Sequence, residues 1–230
     1  MGKLLRLTED LVRRTRREVA DAGPSASSTV FSEADYDAHL TEFLKDRPEG
    51  PINVFCYGSL IWKPVFEPVA TSHAVALGWQ RAFCLRIVRF RGTPEQPGLM
   101  MQIDRGGRCE GIVQQVASAR EWEDLSVLWR REMTVKPPGN LPRWIDVSMG
   151  EKVTKAIAFT ANQASLNYAG GLTSEEIART ISLACGHWGS CADYLHQTVL
   201  SLNAVGIHDG YLWELQERVA ELIEAQTGER

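Results

Sequence analysis

From residue 51 onward, apolar and β-branched runs separated by turn residues recur at 52–57, 73–90, 98–103, 109–116, 143–148 and 153–160. This pattern predicts strands, and Asp104-Arg105-Gly106-Gly107 between two of them predicts a hairpin turn. Helical periodicity occupies much of the rest. Residues 5–20 form a helix-prone arm in which Leu4, Leu7 and Leu11 offer one apolar stripe for docking or self-association. Residues 22–29, Ala-Gly-Pro-Ser-Ala-Ser-Ser-Thr, read as a flexible joint. Ser32 with Asp35 marks a helix start, and that helix should end before Pro48. Ser118-Ala119-Arg120-Glu121 is a capping box that predicts a helix to about residue 133. Thr173-Ser174-Glu175-Glu176 repeats the signature before a helix closed by Gly186. Another helix spans Ser190 to Gly206, and a last one starts near Asp209 with Leu212, Leu215, Val219 and Leu222 on one face. Strands in succession with helices clustered later predict an α+β domain whose sheet is able to close on itself, not a wound βαβ sheet.

Composition narrows the class. The 230 residues are 44% hydrophobic and 23% charged, with a formal net charge of −4. That is enough apolar material for a full core, which excludes disorder, collagen-like repeats and small stapled scaffolds. The mild acidity argues against nucleic acid or an anionic membrane as a partner. Cys56, Cys84, Cys109, Cys185 and Cys191 are odd in number and form no CxxC, as expected of reduced thiols in a cytoplasmic protein. No run approaches the ~20 apolar residues of a membrane span, and the N-terminus lacks a signal-like apolar stretch. Arg13, Arg14, Arg16 and Arg17 are interleaved with Glu9, Asp10 and Glu18, as on a solvated helix face. The oligomeric state stays open between monomer and dimer.

One acidic residue breaks the pattern. With Trp122 as the zero of a helical wheel, Trp129 falls at about −20°, Leu125 at about −60° and Leu128 at about −120°. Glu132 then sits at about −80°, between Leu125 and Leu128, while Arg130 and Arg131 lie away from the stripe's centre. A carboxylate in an apolar stripe is costly unless it is paired, hydrogen-bonded or neutral. Burial also raises its pKa, which turns a glutamate into a useful proton acceptor and donor near neutrality. A frayed helix end or a structural ion pair would account for the same placement.

The second signal is Ile52-Asn53-Val54-Phe55-Cys56-Tyr57-Gly58-Ser59-Leu60, a buried-type strand running into a Gly-Ser turn. Such a turn can present backbone N–H groups to a carboxylate. It matches neither GxxxxGK[ST] nor GxSxG, so it is neither a phosphate loop nor a nucleophile elbow.

Phe55-Cys56-Tyr57-Gly58-Ser59-Leu60-Ile61-Trp62-Lys63-Pro64 closely resembles the FGYGSLIWxP signature of ChaC-type γ-glutamylcyclotransferases. The likeness continues through Gly78–Cys84, Arg91–Gly98, Gly111–Val113, Trp129–Glu132, Asn167–Gly170 and Asp193–Leu195. It divides the chain into an N-terminal helical arm and linker, residues 1–49, and a γ-glutamylcyclotransferase domain, residues 50–225. The resemblance implies a small mixed β-barrel with flanking α-helices and an enzyme that converts glutathione to 5-oxoproline and Cys-Gly without metal or organic cofactor. The family's catalytic glutamate maps onto Glu132. Its substrate loop maps onto Val54, Phe55, Cys56, Tyr57, Gly58, Ser59 and Leu60, with Tyr168 and Arg91 lining the γ-glutamyl site. Two departures stand out: Cys56 replaces the glycine usual before the tyrosine, and Met133-Thr134-Val135-Lys136-Pro137-Pro138 replaces a Gly-Gly-Tyr common after the catalytic glutamate. The second bears on the leaving group more than on the reaction.

Other readings remain open. Within enzymes, the alternative substrates are other γ-glutamyl amino acids or γ-glutamylamines. A γ-glutamyl-binding module without turnover is the non-enzymatic rival. Cys185-x-His187-x3-Cys191-x4-His196 contains plausible zinc ligands, though core thiols and surface histidines account for it better. His39, His73 and His208 have no evident nucleophile partner.

Overall fold

The computed structural model describes residues 5–24 and 29–228. In chain order, α1 (Glu9–Arg14), β1 (Thr29–Val30), α2 (Glu33–Leu44), β2 (Asn53–Cys56) and α3 (Ser59–Trp62) precede two long strands, β3 (Ala70–Ile87) and β4 (Gly98–Gln115). A 3-10 turn at Ser118–Arg120 opens α4 (Glu121–Glu132), followed by β5 (Val135–Lys136), β6 (Asn140–Met149) and β7 (Lys152–Ala161). Then come α5 (Ser174–Leu183), β8 (Cys185–Gly186), β9 (Gly189–Ser190), α6 (Cys191–Ala204) and α7 (Gly210–Gly228). The chain forms two compact units. One comprises Ala26–Ala82 and Gln102–Tyr168, the other Met1–Ser25, Phe83–Met101 and Ala169–Arg230.

The first unit holds a closed barrel in the order β2-β4-β3-β6-β7, as the α+β reading with a closing sheet expects. Strand β2 runs antiparallel to β4 and parallel to β7, with Val54 opposite both Gln114 and Ile157. Closure leaves no long edge exposed. Alternate residues face inward: Ala74 and Ala76, Ile145 and Val147, Ala156 and Ala158. The alanines make room for the rings of Phe55 and Trp79 in the same core. Gly111 permits the close approach of β2, because a Cβ there would lie 2.6 Å from the Cys56 carbonyl oxygen and 2.8 Å from the Phe55 ring.

The expected hairpin at 104–107 does not form; β4 continues unbroken through it. Gly106 and Gly107 adopt φ values of +120° and +56°, which bend the strand without ending it. Tertiary closure thus uses as a barrel bend what local chemistry reads as a turn. The Ser32–Asp35 capping box forms as predicted and starts α2. At Ser118 the 3-10 turn intervenes instead, and α4 begins without a side-chain cap. Helix α2 backs α4: the Trp129 indole N–H donates to His39 Nδ1 at 3.0 Å, and the Phe43 ring lies 5.1 Å from those of Trp129 and Trp144.

The second unit gathers the remaining helices. Its first helix is shorter than the arm expected over 5–20, ending where Arg16, Arg17 and Glu18 supply no apolar face. Leu7 and Leu11 are buried, and the Leu7 N–H donates to Gln216 Oε1 on α7 at 2.8 Å. Leu4 and the heart of the joint, residues 25–28, lie outside the described residues. The Thr173–Glu176 box starts α5 as predicted. The helix ends at Leu183 rather than near Gly186, because the chain turns extended at Ala184 and enters the β8–β9 hairpin. Ser190 caps α6, Gly206 follows it at φ +77°, and Ile223, not Leu222, completes the buried face of α7. No helix among the described residues is long and apolar enough to cross a membrane.

Gly111→Ala should lower unfolding free energy by about 2 kcal/mol in urea titration, whereas Gly171→Ala, with nothing within 4 Å of its Cβ, should change it by less than about 0.5 kcal/mol. Equal stability of the two variants would contradict the strand spacing described.

Candidate active site

Glu132 is the last residue of α4, and the Met133 N–H closes the turn onto the Trp129 carbonyl at 2.8 Å. Its neighbours Leu125, Leu128, Trp129 and Met133 are fully buried. Trp122, the reference point of the helical wheel, is 46% exposed because it lies in the helix's first turn. The buried arc, from Leu128 at about −120° to Met133 at about +20°, centres at about −50°, and Glu132 at about −80° lies within it. The carboxylate side chain retains 18% exposure, an opening to solvent at the edge of the core. Burial raises its pKa above the ordinary value, and the Arg131 guanidinium pulls the other way.

Arg131 is the residue sequence reasoning missed. Its Nε lies 3.4 Å from Glu132 Oε1, one Nη donates to Ser59 Oγ at 2.8 Å, and the other donates to the Lys63 carbonyl. One planar cation thus joins the acid to the Gly-Ser turn. A wheel records only which way a residue leaves its helix, so a long side chain that folds back onto a neighbouring loop escapes it.

The turn is fixed from below. Val54, Phe55 and Cys56 are buried in β2 and paired along β4. The Cys56 thiol pKa is pushed far up by burial and by the nearby Glu132, which places the two groups in one poorly solvated region. Tyr57 is anchored at both ends: its carbonyl accepts from Arg81 Nε at 2.8 Å and its hydroxyl donates to the Phe159 carbonyl at 2.6 Å. Arg81 also donates to the Glu110 carbonyl at 2.5 Å, tying the turn to β4. An arginine at the strand parity of Trp79 and Phe83, both buried, was the available signal for that role. Gly58 and Ser59 form the turn itself, with the Ile61 N–H on the Gly58 carbonyl at 2.9 Å, and Leu60 is buried behind it.

Tyr168 belongs to the same unit, and its hydroxyl donates to Asp104 Oδ2 at 2.5 Å. Arg91 belongs to the other unit, where it donates to Asp193 Oδ2 at 2.8 Å and to the Ser190 carbonyl at 2.7 Å. Three of the four zinc candidates are otherwise engaged, while His196 Nδ1 is buried without a hydrogen-bond partner among the described residues. Cys185 Sγ faces the Arg17 carbonyl, Cys191 Sγ the Arg91 carbonyl, and His187 Nδ1 lies 3.6 Å from Asp21. Among the described residues, no three His, Cys, Asp or Glu side chains converge as a metal cage.

A buried acid beside a backbone turn is geometry that many enzymes share, and comparison with known proteins narrows it. The model of the ChaC-like protein family matches residues 52–222. The chain belongs to the ChaC-like family. It is 33% identical over 203 residues, 87% of each chain, to the glutathione-specific γ-glutamylcyclotransferase of Escherichia coli K12. It is 28% identical over 179 residues, 74% of this chain and 83% of the relative, to γ-glutamylcyclotransferase 2-1 of Arabidopsis thaliana. The crystal structure of a glutathione-specific γ-glutamylcyclotransferase from yeast superposes with a TM-score of 0.67 over 75% of this chain and 97% of that one. At 20% identity that likeness establishes the fold alone.

All five cysteines are buried and none is part of a disulfide. In the native protein, fewer than one thiol per chain should react promptly with a disulfide reagent at pH 8, and all five in guanidinium. Fast modification of Cys56 in the native state, located by peptide mapping, would contradict its burial beside Glu132.

Proposed function

We propose that this protein is a cytoplasmic γ-glutamylcyclotransferase acting on glutathione, with residues 50–225 as its catalytic domain and residues 1–49 as an arm before it. The observation that carries the reading is the partly buried Glu132, its pKa raised, held by Arg131 against the Tyr57–Leu60 turn. The compartment follows from chemistry: five cysteines outside any disulfide and a thiol substrate both suit a reducing environment.

The γ-glutamyl α-amine is a cation at neutral pH and cannot attack until it loses a proton. Glu132 takes that proton. The amine nitrogen then forms a bond to the γ-carbonyl carbon, closing a five-membered ring. The attacking nitrogen of the tetrahedral intermediate still carries a second surplus proton. As the intermediate collapses, the bond to the cysteinyl nitrogen breaks, and Glu132 passes its own proton and then that second one to the cysteinyl nitrogen, which leaves as an ammonium. The products are 5-oxoproline and Cys-Gly, with no water consumed. The substrate supplies its own nucleophile, so the protein needs no reactive serine or cysteine, and the thiol at position 56 is free to be inert.

Most of the acceleration comes from folding the γ-glutamyl chain so that amine and carbonyl meet. Backbone N–H groups of Gly58, Ser59 and Leu60 receive the α-carboxylate, and one of them faces the developing oxyanion. Tyr168 completes the γ-glutamyl pocket. The segment Met133–Pro138, which leads away from Glu132, borders the Cys-Gly end. Its divergence from the family pattern makes substrate choice the point to measure.

Purified protein should convert glutathione to equal amounts of 5-oxoproline and Cys-Gly, faster than it converts γ-glutamylalanine or γ-glutamyl-lysine. Glu132→Gln should keep the fold and lower kcat by at least about 10²-fold. A fully active Glu132→Gln variant would overturn the mechanism, and preferential turnover of γ-glutamylalanine or γ-glutamyl-lysine would overturn the substrate.

A further inference from the structure

Asp104 lies in β4 and is 8% exposed, a carboxylate inside a strand of the barrel. A buried carboxylate is costly unless donors surround it. Three do: the Tyr168 hydroxyl at 2.5 Å on Oδ2, with Gln163 Nε2 at 2.7 Å and the Arg105 N–H at 2.8 Å both on Oδ1. None of the three is a charged group, so the carboxylate's negative charge is spread over the cluster rather than cancelled by a cation.

The consequence lies in Tyr168. A phenol has one hydrogen, and here Asp104 holds it in a short, charge-assisted bond. Toward a ligand, the Tyr168 oxygen can therefore act only as an acceptor, and an acceptor backed by a carboxylate favours a cation. In a γ-glutamyl substrate the cation is the α-ammonium. We infer that Asp104 is a positioning residue that fixes Tyr168 as the acceptor for the substrate's α-amine; this rests on the functional reading above.

The topology brings the cluster to the right end of the barrel. Ile103, next to Asp104, pairs with Thr160 of β7. The Tyr57 hydroxyl bonds the carbonyl of Phe159, one residue earlier on the same strand. Asn140 pairs with Ala161, and Gln102 and Asn162 donate to the Gly139 and Pro138 carbonyls, anchoring the segment that leads on from Glu132. The turn, the acid's following segment and the Asp104–Tyr168 pair are thus all fastened to residues 159–162. With one N–H on Tyr168, the amine is held in place to give another proton to Glu132.

A purely structural Asp104, which only ties down the 162–168 loop, is the rival reading, and a double-mutant cycle separates the two. Steady-state rates with glutathione would be measured for wild type, Asp104→Ala, Asp104→Asn, Tyr168→Phe and the two double variants that join Tyr168→Phe to Asp104→Ala or to Asp104→Asn, with thermal melts alongside. Asp104→Ala and Tyr168→Phe should each raise KM about tenfold with kcat changed far less, as expected on losing a hydrogen bond to a charged group. The Asp104→Ala/Tyr168→Phe double variant should be no worse than Tyr168→Phe alone. Asp104→Asn keeps an acceptor but loses the charge, and should raise KM about threefold in wild type and not at all in the Tyr168→Phe background. If Asp104→Ala fails to fold, that last comparison carries the test. Multiplying losses, or an unchanged KM in Asp104→Asn, would overturn the inference while leaving the activity standing. A wild-type protein inert toward glutathione would overturn the functional reading and this inference with it.

Discussion

A carboxylate at the end of a buried helix face must be stabilised without being neutralised, and the rest of the site is arranged around that conflict. Glu132 loses solvation because Leu125, Leu128 and Trp129 carry α4 into the core, with α2 packed behind through His39 and Phe43. Full burial beside an arginine would make a structural ion pair, and full exposure would give an ordinary acid. The structure sits between, with a 3.4 Å contact to Arg131 and a small opening to solvent. Desolvation wins over the guanidinium, and the pKa moves upward.

Arg131 is shared, which couples electrostatics to shape. The guanidinium that tempers Glu132 also holds Ser59 and the Lys63 carbonyl, so the acid and the turn cannot drift apart independently. Below them, Tyr57 is fastened to Arg81 and β7, and β2 can pack so tightly only because Gly111 lacks a side chain. A unimolecular ring closure needs this kind of rigidity more than it needs reactive groups, because most of its barrier is orientation. The proposed chemistry therefore asks one titrating residue to move a proton and leaves the remainder to the barrel.

What was legible in the sequence follows from how local each cause is. The boxes at Ser32 and Thr173 are four-residue effects and form as read. The misplacement of Glu132 is a periodicity effect confined to one helix, so a wheel finds it even with its reference residue exposed. Gly106 and Gly107 misled because local chemistry cannot tell a turn from a bend that only a closing barrel requires. Arg131 and Asp104 stayed hidden for a related reason: each is defined by partners 59 to 72 residues away. Arg91 shows the converse, a motif residue whose hydrogen bonds are all made inside the other unit.

The central claim is that desolvation, against the pull of Arg131, raises the Glu132 carboxyl into a range where it can accept and return a proton. A ¹³C NMR titration of protein labelled at the glutamate side-chain carboxyl, with Glu132→Gln to assign the signal, measures this without reference to turnover. Glu132 should titrate above the ordinary glutamate value of 4.5, and Arg131→Met, by removing the opposing cation, should move it higher still. A Glu132 signal that titrates at or below that ordinary value would contradict the account.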